Sequence, residues 1–301
     1  MNANNRLNLS AGIASASIAL TLVALKIWAL GGTGALSVAA SLADSAMDLM
    51  VSIGGLVAII YAARPADEDH AFGHSSVEDL AALGQSLFIL LSAGVIGYAA
   101  IMRLFAGEPV PLTNESQGIA AMVLSIILTL ALVLWQRYVM KRTKSRVVAA
   151  DSLHYVGDLL PALGAILSLW ASRTFGLETI DSVVAIGAAI MLAVGAIGIF
   201  RKAFDALMDR AADEETIAGI EALVREFPGV HGYHDLKTRT AGSVTFVNLH
   251  IELDGAQTLD EAHAIGAALR REILSAFPGT DVLIHKDPVG VEPHPDDPSR
   301  T

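Results

Sequence analysis

Long apolar stretches broken by short polar links fill the chain up to about residue 204, and beyond that point the pattern changes. Six apolar runs, approximately 10–31, 35–62, 79–104, 116–139, 147–171 and 177–201, are long enough for helices crossing a bilayer of about 30 Å. An even number of spans leaves both ends on one side. After residue 204 the periods are those of a soluble domain. Glu214 to Glu226 is amphipathic and stops at Pro228-Gly229. His234 to Thr240 and Val244 to Leu253 read as strands around the turn Ala241-Gly242-Ser243, the second with strict alternation. Leu259 to Phe277 is helical up to Pro278-Gly279, and Asp281 to Asp287 is a last strand. The order αββαβ predicts a small open α+β sandwich of ferredoxin-like type. The sequence thus divides into a membrane domain over 1–204, a soluble domain over 205–290 and a Pro- and Asp-rich tail over 291–301 that is expected to be disordered.

Composition agrees with that division: 53% of the residues are hydrophobic, 17% charged, and the mean hydropathy is +0.53. A net charge of −11 gives no support to nucleic-acid binding. With no cysteine, disulfides and thiolate metal sites are excluded, so any metal has to be held by His, Asp, Glu or backbone. Met1 to Asn8 lacks the basic start and cleavage site of a secretory signal, so the first run is expected to stay as a span. The link from Gln136 to Arg146 carries Arg137, Lys141, Arg142, Lys144 and Arg146, whereas the links near Gly31, Pro109 and Arg173 are poor in positive charge. The positive-inside rule therefore puts that link and both termini in the cytoplasm. Trp28, Trp135 and Trp170 fall near span ends, as interfacial aromatics do. Lys26, the cation inside the first run, is expected to snorkel to the interface.

Ionisable residues stand out against this background. Asp44 and Asp48 are four apart, on one face of the second span. Each carboxylate at mid-membrane costs roughly 2.5 to 3.5 kcal/mol on insertion scales, so two require compensation. His154 and Asp158 repeat the spacing in the fifth span. If the two helices face one another, three carboxylates and one imidazole converge, a donor set that suits a divalent ion of the zinc or ferrous type. Between spans two and three, Asp67, His70 and His74 are spaced so that they can close on a metal, although a merely solvated polar loop would look similar. In the soluble domain His285 and Asp287 are two apart on a strand and share a face, and His250 is in phase with Asn248 and Glu252. Together with His234 and His263 they form a His-rich set that points to metal.

These residues stand in motifs that resemble the cation diffusion facilitators, most closely the bacterial zinc and ferrous-iron efflux members. The motifs are Ser41-Leu42-Ala43-Asp44-Ser45-Ala46-Met47-Asp48, Pro65-Ala66-Asp67 to Phe72-Gly73-His74, Asp151-Ser152-Leu153-His154-Tyr155 to Asp158, Leu207-Met208-Asp209-Arg210, and His234-Asp235-Leu236-Lys237-Thr238-Arg239, and the resemblance runs on to His285-Lys286-Asp287-Pro288. It implies a multi-pass protein of the bacterial cytoplasmic (inner) membrane that works as a homodimer in the lipid bilayer and exchanges a cytoplasmic divalent ion for external protons. By the same resemblance Asp44, Asp48, His154 and Asp158 form the transport site, and Asp67, His70 and His74 a loop site. His234, His250, His263, His285 and Asp287 form sites at the dimer interface. No cofactor is implied; zinc or another divalent metal is both the substrate and a regulatory ligand. The chain departs from close relatives at Ser76, where a lysine is frequent, and at Lys286, where a neutral coordinating side chain is possible.

Two other classes bury the same residue types. An intramembrane metallohydrolase needs a general base, commonly in His-Glu-x-x-His, and no such motif occurs. A metal sensor that binds without flux would use the same ligands, and vesicle uptake separates it from an exporter. The imidazole argues against the hardest cations but leaves zinc, cadmium and ferrous iron open.

Overall fold

The computed structural model describes residues 3–33, 36–106, 116–159 and 180–290. The membrane part consists of helices α1 (Ala3–Thr33), α2 (Leu36–Ala62), α3 (Val77–Ala106), α4 (Ser116–Thr143), α5 (146–159) and α6 (Ile180–Leu207). Among the described residues five segments are long and apolar enough to cross a membrane: Asn4–Trp28, Ser45–Ala62, Val77–Met102, Val123–Thr143 and Ala185–Leu207. The predicted fifth span, 147–171, is described only to residue 159, and the remainder, with the tail from 291, lies outside the described residues.

The distribution of side chains is that of a bundle solvated by lipid. Leu20, Met50, Leu91, Leu134 and Val194 are exposed, whereas Ser15, Ser52 and Gln136 are fully buried. Hydrocarbon tolerates apolar surface but not an unpaired donor, so the polar groups turn inward and find one another. Ala11, Ile59, Val139, Val147 and Val148 pack α1, α2, α4 and α5 together. Ile89 and Ala93 of α3 meet Leu192 and Ala196 of α6 in a second cluster. Leu153 of α5 joins it by lying over Gly195, where an added Cβ would come within 2.9 Å of Leu153 Cδ2. The bundle therefore holds α5, which carries His154, between its two packing layers.

Compact units divide the chain into Met1–Phe204 and Asp205–Thr301. In the second unit the order is α7 (Glu214–Arg225), β1 (Gly232–Ala241), β2 (Val244–Leu253), α8 (Leu259–Ala276) and β3 (Thr280–Pro288). The sheet runs β1-β2-β3, antiparallel between β1 and β2 and parallel between β2 and β3. Val247, Leu249, Ile251 and Leu253 alternate onto one face of the sheet, where Ile220 and Val224 of α7 and Leu269 and Ile273 of α8 cover them. That leaves the other face, with His250 and Glu252, free of the helices. Asp213 caps α7 by accepting from Thr216, and Thr258 and Glu261 form a reciprocal capping box on α8. The αββαβ order read from the sequence is the one observed. A β-bulge between His234 and Lys237, with Asp235 at φ 49°, interrupts β1 where an unbroken strand was expected.

Candidate metal centres

Helices α2 and α5 present the first cluster. His154 Nε2 lies 3.2 Å from Asp48 Oδ1, and one ligand atom from each of Asp48, His154 and Asp158 falls within 4.8 Å of the others. His154 is buried, with the Phe88 ring edge-on at 5.7 Å. The four-residue step from His154 to Asp158 keeps both on one side of α5, and Asp44 stands in α2 one turn before Asp48. Such a set offers oxygen and nitrogen donors to one small divalent ion.

A polar scaffold behind the cluster fixes the two helices. Ser52 of α2 and Tyr155 of α5 share a 2.8 Å hydrogen bond, and Ser15 of α1 donates to Ser52 at 3.0 Å. Gln136 of α4 donates to the buried Asp151 carboxylate at 2.6 Å. The residues next to His154 in sequence are therefore tied to three other helices, so the imidazole has little freedom to turn away from Asp48.

In the loop between α2 and α3, Asp67 accepts the His70 backbone N–H at 2.7 Å and approaches His70 Nδ1 at 3.2 Å and His74 Nε2 at 3.1 Å. The donated backbone N–H holds the Asp67 carboxyl below its ordinary value, with the two imidazoles acting in the same direction. His74 is buried against the edge of Tyr61, at 4.8 Å between rings, whereas Asp67 and His70 are exposed. A deprotonated carboxylate and two imidazoles on one short loop can hold an ion without rearranging the chain.

The soluble unit gathers its third set on the sheet face that the helices leave open. His250 pairs with His234 across β1–β2 and with His285 across β2–β3, so the three stand in one row. Their ring centroids are separated by 5.1 and 4.6 Å. Asp287 serves all three: Oδ2 lies 2.8 Å from His250 and 3.5 Å from His234, and Oδ1 lies 3.2 Å from His285. The donors of His234, His250 and Asp287 lie within 4.8 Å of one another.

The model of the cation efflux transmembrane domain matches residues 12–208, and that of the cation efflux cytoplasmic domain matches residues 212–289. The chain belongs to the cation efflux family. Cation-efflux pump FieF of Cronobacter sakazakii is 39% identical over 96% of this chain and 95% of its own. Cation-efflux pump FieF of Shigella flexneri is 38% identical over the same shares. Among solved structures, the metal-bound C-terminal domain of the CzcD transporter from Thermotoga maritima is 32% identical, covering 26% of this chain and 91% of that one with a TM-score of 0.25. As a member of this family the protein is a multi-pass membrane transporter of metal cations and not an enzyme.

Seen as a cation efflux protein, the chain groups most of the residues singled out from the sequence; the Asp44 side chain lies outside the described ones, and His263 stands apart. His263 is exposed on α8, which covers the face of the sheet opposite the His250 row, so it does not join that set within this chain. The structure also brings two acidic residues to the row that were not among the candidate ligands. Glu252 Oε1 lies 3.3 Å from His234 Nδ1, and Asp235 on the bulge reaches to 4.0 Å from His250 Nε2. Glu252 had a signal, being two residues from His250 on the same strand face; Asp235 had none, because an unbroken strand would turn it away.

The structure shows where the Lys286 side chain goes. The Lys286 stem lies over Gly266 of α8, where an added Cβ would meet Lys286 Cε at 2.4 Å, so the lysine projects away from the histidine row. Asp209 pairs with Arg239 of β1 at 3.3 Å. Lys26 differs from the sequence expectation: its ammonium donates to Ser45 on α2 at 2.6 Å instead of snorkelling out along the membrane surface.

Proposed function

We propose that this transporter exports a divalent transition-metal ion, zinc first and ferrous iron or cadmium as further substrates, in exchange for protons. The observation that carries this reading is the approach of Asp48, His154 and Asp158 across α2 and α5. Asp44 is the proposed fourth ligand. The ion enters from the cytoplasmic side and sheds water for three carboxylates and a neutral imidazole. Protons leave as it binds, because the ligands accept the ion only when deprotonated. In the outward-facing state external protons compete for the same lone pairs. The imidazole of His154 is the favoured acceptor, since free histidine titrates near about 6.5.

The termini are assigned to the cytoplasm on the basic link 137–146, and the working unit is assigned as a homodimer. His234, His250, His285 and Asp287, with His263 acting at the dimer interface, are proposed to hold regulatory metal. Ions that bind one dimer arrangement more tightly favour that arrangement, and by no more than the difference in affinity. Asp67, His70 and His74 are proposed as an accessory site at the cytoplasmic loop.

Flux into proteoliposomes under an imposed pH gradient tests the reading, with zinc, with cadmium and, anaerobically, with ferrous iron. Gradient-dependent uptake that disappears in His154→Ala is the expected result. Metal binding without gradient-driven uptake would overturn it in favour of a sensor.

A further inference from the structure

The Lys26 ammonium stands 2.6 Å from the hydroxyl of Ser45, a residue only 1% exposed. Ser45 follows Asp44 directly and precedes Asp48 by three positions, so it shares the helix turn that carries the metal-site carboxylates. A lysine within the span Asn4–Trp28 had a less costly alternative, because its four-carbon stem could follow the helix outward to the headgroups. It points instead across the α1–α2 interface, at the one stretch of α2 where fixed negative charge is concentrated.

We propose that Lys26 is a positioning residue of the transport site and limits how tightly the site holds its ion. The proposal rests on the reading of Asp44, Asp48, His154 and Asp158 as the ligand set. Those ligands, with a neutral imidazole, carry a charge of −3, and Lys26 brings the sum to −2. Asp151, three residues before His154 and bonded to Gln136, adds a buried carboxylate outside the ligand set, so the lysine reduces the excess negative charge around the ion and does not cancel it. In surroundings of low dielectric that reduction bears directly on how strongly a cation is held.

The same charge limits how tightly the ion is held. The ammonium repels a cation bound one helical turn away and holds the carboxylates apart from each other when the ion has gone. The ion is thus bound firmly enough to be stripped of water and loosely enough to leave. Ser45 supplies the anchor: its buried hydroxyl fixes the ammonium at the turn without taking part in ligation.

The test is zinc titration of the full chain in lipid nanodiscs, with release rates measured by a chelator chase. Natural protein is compared with Lys26→Gln, Lys26→Arg, Ser45→Ala and Asp48→Asn. Lys26→Gln is expected to bind zinc about tenfold or more tightly and to release it correspondingly more slowly, the scale for removing one unit charge near a divalent ion. Lys26→Arg should keep the natural affinity. Ser45→Ala should tighten binding by a smaller factor, because the charge is retained but released from its anchor. Misfolding weakens binding, so a gain in affinity is a readout that a purely structural lysine would not give. Unchanged or weaker binding by folded Lys26→Gln overturns the proposal. If that variant does not fold, unchanged affinity in Ser45→Ala does so. Asp48→Asn separates the two levels: if it keeps every zinc site of the natural chain, the reading of the transport site has failed, whatever Lys26 does.

Discussion

The Arg146 guanidinium meets the Asp79 carboxylate at 2.5 Å, joining the first turn of α3 to the start of α5. The Asp79 side chain is 1% exposed, so the pair anchors the two helices through a buried charge. Arg146→Ala removes the cation that faces this buried carboxylate and should destabilise the bundle by up to about 3 to 5 kcal/mol. Adding Asp79→Asn should restore most of the loss. Thermal unfolding in detergent, followed by tryptophan fluorescence for both variants, reads the difference.

At the proposed transport site, Asp48→Ala should abolish metal flux while the melting temperature stays close to that of the natural chain. The carboxylate takes no part in the Ser15–Ser52–Tyr155 scaffold, so its removal spares the packing. Proteoliposome uptake and a melting curve on the same preparation check both halves.

Tyr155→Phe removes a buried hydroxyl that bonds to Ser52 and leaves Ser52 with Ser15 as its remaining partner. A loss of about 0.5 to 1.5 kcal/mol is expected, the usual net worth of such a bond. Because Tyr155 follows His154 directly, transport should fall more than stability does, and the ratio of initial uptake rate to folded fraction measures this.

The start of α8 should be pH-dependent. Glu261 accepts the Thr258 backbone N–H, and this holds its carboxyl below the ordinary value, the hydroxyl of Thr258 adding to the effect. A carboxyl depressed on folding stabilises above its unfolded value, and the contribution is lost as pH falls through the folded one. At neutral pH it is fully present. Amide exchange in the first turn of α8 should therefore rise in Glu261→Gln at pH 7 and converge with the natural chain in acid. Thr258→Ala, which removes the cap, should cost about 1 kcal/mol.

Charged residues inside apolar runs made the Asp48–His154–Asp158 cluster legible. Asp48, His154 and Asp158 each occupy a place where hydrocarbon penalises them, and helical spacing alone puts each pair on one face. The helix order was legible for the same reason, since lipid leaves no alternative to long uninterrupted helices. What sequence did not carry was rotation about an axis. Whether Lys26 runs to the interface or crosses to Ser45 depends on which side of α1 faces α2, and the apolar pattern of α1 is nearly uniform around its circumference. The histidine row was half legible: His250, His285 and Asp287 follow from strand alternation. The place of His263 depended on the face that α8 covers, and Asp235 on a bulge with no marker residue.

The row of His234, His250 and His285 exists only while β3 sits in its present register against β2. Shift β3 by one position and His285 turns toward the helices, while Lys286 moves out into the line of imidazoles. A cation would then stand at the site proposed for the ion. Strand alignment and the proposed metal affinity are thus one property: a bound ion would hold the strands in step, and a misaligned sheet would refuse it.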